Sequence, residues 1–236
     1  MDASGYVTLT RLSGLRREMD LVANNIANSG TLGFKSQGAV FSEFIADLEG
    51  GSSLSMARAS AWTMNLADGG LSQTGGTFDL AIQGRGFFQI ESADGLRLTR
   101  AGNFTPSPAG ELVTPDGQRL LDAGGAPVFV PPGAQAIAIA QDGTISADGV
   151  PVGQIGLWQP VDPLTLSYAG GNLLATPEVE PVTGATIHQG FVEESNVQPV
   201  TEIARMIEVQ RAYEMGQSFL DAEDERLKNL IQVMGR

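Results

Sequence analysis

His188 is the only histidine among 236 residues, and there is no cysteine. A Ser-His-Asp relay needs a histidine oriented by an acid against a nucleophile, and a metal centre needs several imidazole, thiolate or carboxylate donors in one place. One histidine near the end of the central region supplies neither, so a structural or surface role is expected for it. Gly84-Arg85-Gly86 opens like a dinucleotide-binding loop. The third glycine of that fingerprint is replaced by Gln89, and the flanks alternate like strands where a helix is required. A turn between two strands is expected instead. Asp221, Glu223, Asp224 and Glu225 could suggest a cation site. On a helix these carboxylates spread around the axis, and no glycine supplies the bend of a calcium loop. Asp94-Gly95, Asp116-Gly117, Asp142-Gly143 and Asp148-Gly149 are irregularly spaced and read as hairpin turns. Asn103-Phe104-Thr105 is a frequent chance match to a glycosylation triplet. No enzyme, cofactor, metal or small-molecule substrate is expected.

The elements that would position any site are unequal. Residues 6–28 carry an apolar stripe through Leu12, Leu15, Met19, Val22 and Ile26, at alternating spacings of three and four. At the other end, Met206, Tyr213, Leu220, Leu227 and Met234 fall seven apart. That is the seam of a coiled coil or narrow helical bundle. The first helix is expected from Ser4 to Asn28, with Ser29-Gly30 and Leu32-Gly33 breaking it. The last begins near Pro199, with Ser195 or Thr201 as caps, and runs to Met234. Between them, Phe41, Phe44, Ile45 and Leu48 have helical spacing, which suggests a short helix on an extended arm. Trp62, Met64 and Leu66 alternate like a strand. Short strands are expected around Phe78–Ile82, Phe87–Ile90, Leu96–Leu98, Val128–Val130, Ile137–Ile139 and Ile155–Trp158.

The fold class is therefore α+β: terminal helices forming a coiled-coil-like domain, with an inserted all-β domain. The expected divisions are 1–30 for the first helix, 31–71 for an arm with a short helix or strand, 72–187 for the β domain and 188–236 for the last helix. Hydrophobic residues make up 42% of the chain, enough for a core, while the net charge of −13 argues against nucleic acid and anionic lipid. The first residues lack the pattern of a cleaved secretory leader, and no run reaches the ~18 apolar residues of a membrane span.

Several motifs now point one way. Leu12-Ser13-Gly14-Leu15, then Asn24-Asn25-Ile26-Ala27-Asn28 and Gly33-Phe34-Lys35, resemble the N-terminal signature of flagellar rod and hook proteins. Ser195-Asn196-Val197, Thr201-Glu202, Met206-Ile207-Glu208 and Gln210-Arg211-Ala212-Tyr213-Glu214 resemble their C-terminal signature. Leu80-Ala81-Ile82-Gln83-Gly84, Gly86-Phe87-Phe88 and Leu98-Thr99-Arg100-Ala101-Gly102-Asn103-Phe104 resemble the β domain of that family. Pro131-Pro132-Gly133-Ala134, Asp142-Gly143-Thr144-Ile145 and Pro151-Val152-Gly153 are most similar to its proximal-rod members, whose modest length also fits better than that of distal-rod or hook members.

The resemblance implies a structural subunit of the bacterial flagellar basal body. Such a subunit is exported through the flagellum's own type III apparatus without a cleaved leader. It assembles in the periplasm with copies of itself and other rod proteins, into the tube that transmits motor torque. Asn24, Asn25, Asn28, Gly33 and Phe34 would lie at the first helix end and its exit, with Ser195 and Asn196 ahead of the last helix and Gln210 and Arg211 within it. Asparagines there are expected to cap or bridge backbone groups. Leu12, Leu15, Met19, Val22, Ile26, Met206, Tyr213, Leu220 and Leu227 are expected to pack mainly between subunits. Two narrow stripes bury little area at about 25 cal/mol per Å², so the helices are expected to order on assembly. The rival readings are an enzyme with a β-domain site and a closed-oligomer binding module.

Overall fold

The structure is a computed structural model that describes residues 3–47 and 53–234, with side chains at 7–39 and 63–233. It divides into two compact units. One draws on residues 1–27, 37–63 and 198–236; the other on 28–36 and 64–197.

The first unit is built on two helices, α1 (Ala3–Ala27) and α2 (Pro199–Met234). Pro199 stands at the first helical position, where its missing N–H costs nothing. Neither expected cap is used. The Ser195 hydroxyl accepts from Val197 N at 3.2 Å, and Thr201 lies inside the first turn. The helices run antiparallel: Leu12 meets Gly216, Glu18 meets Arg205 and Asn25 meets Glu202. On α2 the inward positions are Glu202, Met206, Val209, Tyr213, Gly216, Leu220 and Glu223, at spacings of four and three. The sequence stripe captured only every second of these. Leu227 continues it in sequence but is exposed, and the Met234 side chain lies outside the described residues. α2 has 36 residues against 25 in α1, which at about 1.5 Å per residue makes it ~16 Å longer.

The expected short helix at Phe41–Leu48 is a strand, β1 (Gln37–Asp47), paired with β2 (Ser53–Met64); Leu48 itself lies outside the described residues. A helix that short has a costly nucleus and few bonds to offset it, whereas pairing with a second strand satisfies the same backbone groups.

The second unit contains β3 (Leu71–Gln73), β4 (Leu80–Gln83), β5 (Phe87–Ser92), β6 (Gly95–Thr99) and a series of shorter antiparallel strands. β5 is its hub, bordered by β6, by Arg119–Leu120 and by Leu157–Pro160. Leu80, Ile82, Phe88, Ile90, Leu112 and Ile145 form the centre of its core. Asp148-Gly149 makes a two-residue turn, with Ala147 opposite Val150 and both turn residues at positive φ. Two expected strands are displaced. Val128–Val130 makes a single bridge, Phe129 to Glu111, and Ile155 only bridges Asp122, the strand beginning at Leu157. Val128 and Val130 still donate to Leu120 O and Gly110 O, and Pro131-Pro132, which cannot donate, stops the run from continuing. The unit closes when Thr186–Gln189 pairs with β4 and Phe191–Glu193 with β3.

Candidate functional site

The chemistry-bearing side chains of the sequence are structurally occupied. His188 Nε2 lies 2.9 Å from Gln83 Oε1, and its ring meets Phe191 edge-on. Gly84-Arg85-Gly86 is the turn between β4 and β5. In the acidic run of α2, Glu223 pairs with Arg226 and Asp224 with Lys228.

Two other places concentrate the specific contacts. The first is the helix pair. Leu12, Val22 and Val209 are buried; Leu15, Met19, Ile26, Met206, Tyr213 and Leu220 are partly so. A Cβ on Gly216 would stand 2.7 Å from Leu12 Cδ2, so glycine lets the helices approach closely. Arg205 Nε and Nη2 both reach Glu18 Oε1, at 3.0 and 2.8 Å. Asn25 is buried and ties three segments together. Its Nδ2 donates to Gln37 O at 2.9 Å and to Glu202 Oε2 at 3.2 Å, while its Oδ1 accepts from Gln37 N. That is backbone bridging where the helix stops. Asn24 is exposed in the same turn, and Gln210 and Arg211 are exposed on α2. An open groove of about 570 Å³ remains beside the pair, lined by Leu9, Leu12, Ser13, Arg16, Tyr213, Gln217, Leu220 and Asp221.

The second place is a buried charge cluster in the β unit. Glu193, fully buried, accepts from Lys35 Nζ at 2.6 Å, Gly69 N at 2.9 Å and Arg100 Nη1 at 2.8 Å. Lys35 is fully buried too and also donates to Ala67 O. Arg100 donates further to Ile82 O, Gly84 O and Asp68, and lies over the Phe87 ring. Burial holds the Lys35 ammonium below its usual pKa, against the opposing pull of Glu193. Around the charges, Phe34 stacks on Tyr168 at 5.0 Å, and the Tyr168 hydroxyl accepts from Lys35 N and donates to Lys35 O. Asn196 Oδ1 accepts from Ser36 N, and its Nδ2 donates to Asn65 O and Ala67 O. Asn28 Oδ1 accepts from the Thr31 hydroxyl. Gly33 sits at φ +66°, and a Cβ there would lie 2.3 Å from the Arg100 carbonyl carbon. Gly33, Phe34 and Asn196, expected at the helix exits, lie beside this cluster; Lys35 and Arg100 stood in the sequence only as parts of longer motifs, and Asp68, Tyr168 and Glu193 were not singled out there.

The paired charges of this cluster hold chain segments together. Comparison with known proteins gives the family. The family model described as flagella basal body rod protein matches residues 6–35, the FlgE/F/G D1 domain matches 81–147, and the rod FlgEFG C-terminal region matches 188–233. A flagellar basal-body rod protein FlgF from Caulobacter vibrioides is 40% identical over 243 residues, covering all of this chain and 99% of the relative. The chain belongs to the flagellar basal-body rod protein family. The FlgF of Mesorhizobium japonicum is 38% identical, with 98% of each chain covered, and the FlgG of Bacillus subtilis 31%, with 97% of each. Within the rod family the chain is most like FlgF. It is a structural rod subunit, not an enzyme. Among its described helices none is long and apolar enough to cross a membrane.

Proposed function

We propose that this rod protein self-assembles, and co-assembles with other rod proteins, through its terminal helices. The helices form a coiled-coil-like rod domain, and the β unit is an all-β domain inserted between them. The assembly is the periplasmic proximal rod, a helical tube that passes torque from the motor. Delivery is through the flagellar export apparatus.

The observation that carries the reading is apolar surface on α2 outside its own seam. Val200, Ile203 and Ile207 are 82%, 49% and 44% exposed at spacings of three and four. Leu230, Ile231 and Val233 continue the exposure towards the C-terminus. Such a face marks a contact surface. The groove lined by Leu12, Tyr213 and Leu220 gives the seam residues a second face for a neighbour. A heterologous contact that does not close on itself yields a tube.

Complementation of a strain lacking the gene tests this. Ile203→Asp/Ile207→Asp is expected to give a soluble chain with unchanged circular dichroism, but no rods and no swimming. Leu12→Asp and Leu220→Asp are expected to block assembly as well. Normal motility from all three would overturn the proposal. Hydrogen exchange on the purified chain, paired with its size, addresses the timing of order: rapid exchange in 1–30 and 200–236 of a monomer supports ends that order on assembly. A small oligomer of fixed stoichiometry would favour a closed binding module.

A further inference from the structure

We propose that Glu193 makes two segments far apart in sequence, 31–36 and 190–197, dock on the β unit as one: neither keeps its place without the other. This rests on the geometry of the β unit and is independent of how the rod assembles.

The two segments bond directly to one another and share partners in residues 65–69, besides the β3 ladder that holds 191–193 and the Tyr168 and Asn172 contacts that hold 32–35. Gly33 N donates to Glu193 O at 2.8 Å, Asn196 N to Phe34 O at 3.2 Å and Ser36 N to Asn196 Oδ1 at 2.7 Å. Residues 34–36 lie in no strand, and neither do 194–198. A regular ladder therefore does not hold the first segment, and for the second it ends at Glu193. The charge cluster is what the two segments share. Among the described residues Glu193 is the one fully buried anion, and it serves two cations, Lys35 and Arg100, whose side chains are 0% and 2% exposed. The remaining carboxylate, Asp68, is 42% exposed and 3.4 Å from Arg100.

Withdrawing 190–197 removes Glu193 and leaves two buried cations sharing one half-exposed anion. The Lys35 ammonium keeps one hydrogen bond, to the Ala67 carbonyl, and so favours moving to water. Withdrawing 31–36 takes Lys35 and the Gly33 and Ser36 donors away. It opens the wall around Glu193 and strips Asn196 of two of its partners. Breaking a buried pair by removing one partner is far worse than removing both. The half-docked forms are therefore the ones disfavoured, and the two segments dock or leave together.

Hydrogen exchange read by mass spectrometry on the full chain tests this. In Lys35→Met, protection is expected to fall at least tenfold in 190–197 as well as in 31–36, while β5 keeps its protection. Glu193→Gln is expected to do the same to 31–36. In Lys35→Met/Glu193→Met, protection should fall by less than the product of the two single losses. Loss confined to the substituted segment would overturn the proposal. Should the variants fail to fold, the wild-type chain in low, non-denaturing urea serves instead. There the two segments must open at the same rate with the same urea dependence, and opening of one before the other overturns the proposal.

Discussion

At the residue scale, the junction around Lys35 depends on groups that cannot be swapped for near neighbours. Tyr168 is the clearest case. Its hydroxyl satisfies both the N–H and the carbonyl of Lys35. Tyr168→Phe keeps the stacking on Phe34 but strands those groups, a loss of about 1–3 kcal/mol expected in urea melts at neutral pH. Burial also pushes the phenol from its ordinary 10.0 up to about 12. The folded chain thus holds this proton more tightly than the unfolded one. The stabilisation is whole below about pH 10 and is lost as pH climbs through about 12. Lys35 has the opposite sign. Its lowered folded pKa makes it a cost below that value, relieved as pH rises to 10.5. Alkaline melts should steepen above pH 10 in the wild type, and Tyr168→Phe should lack that limb. Gly33→Ala faces both a left-handed backbone and the Arg100 main chain. It is expected to cost more than about 1 kcal/mol, seen as a lower urea midpoint with unchanged slope.

Element-scale behaviour centres on the approach of α1 and α2 at Gly216. Here two effects oppose. Alanine gains about 1 kcal/mol of helix propensity over glycine, while its Cβ displaces only the tip of Leu12. Gly216→Ala is therefore expected to be nearly neutral. Gly216→Leu cannot be absorbed by one rotamer and is expected to cost about 1–3 kcal/mol, with faster exchange confined to the two helices. The same position shows how far the sequence could be read. Leu12, Val22, Met206 and Tyr213 announce the seam because apolar periodicity registers them. Glu202, Gly216 and Glu223 complete it silently, since a glycine or a glutamate facing inward leaves no apolar mark. Helix ends were legible from Ser29-Gly30 and Pro199. The Phe41–Ile45 run was not: a short apolar run fits strand and helix alike, and pairing with residues 53–64 decided it. The charge cluster was hidden for a different reason. Burial of Lys35 and Glu193 arises only when segments about 160 residues apart meet, and no local pattern encodes that.

For the whole molecule, charge and apolar surface act against each other. A net charge of −13 makes copies repel, while the exposed side chains of α2 draw them together. Salt screens the first and spares the second. Self-association measured by sedimentation at neutral pH is expected to strengthen as salt rises from about 10 mM to about 1 M, over which the Debye length shrinks from ~30 to ~3 Å. Association that weakened with salt would mean ion pairs, not the apolar face, hold copies together. The helix pair carries one more consequence. Because α2 outruns α1 by about three turns, one end of the helix pair is, among the described residues, a single helix and the other is doubled. Copies stacked head to tail through such a unit would make a filament with two chemically different tips. Its growth would have a polarity written into each subunit, and a chain added at one tip would meet a different surface from a chain added at the other.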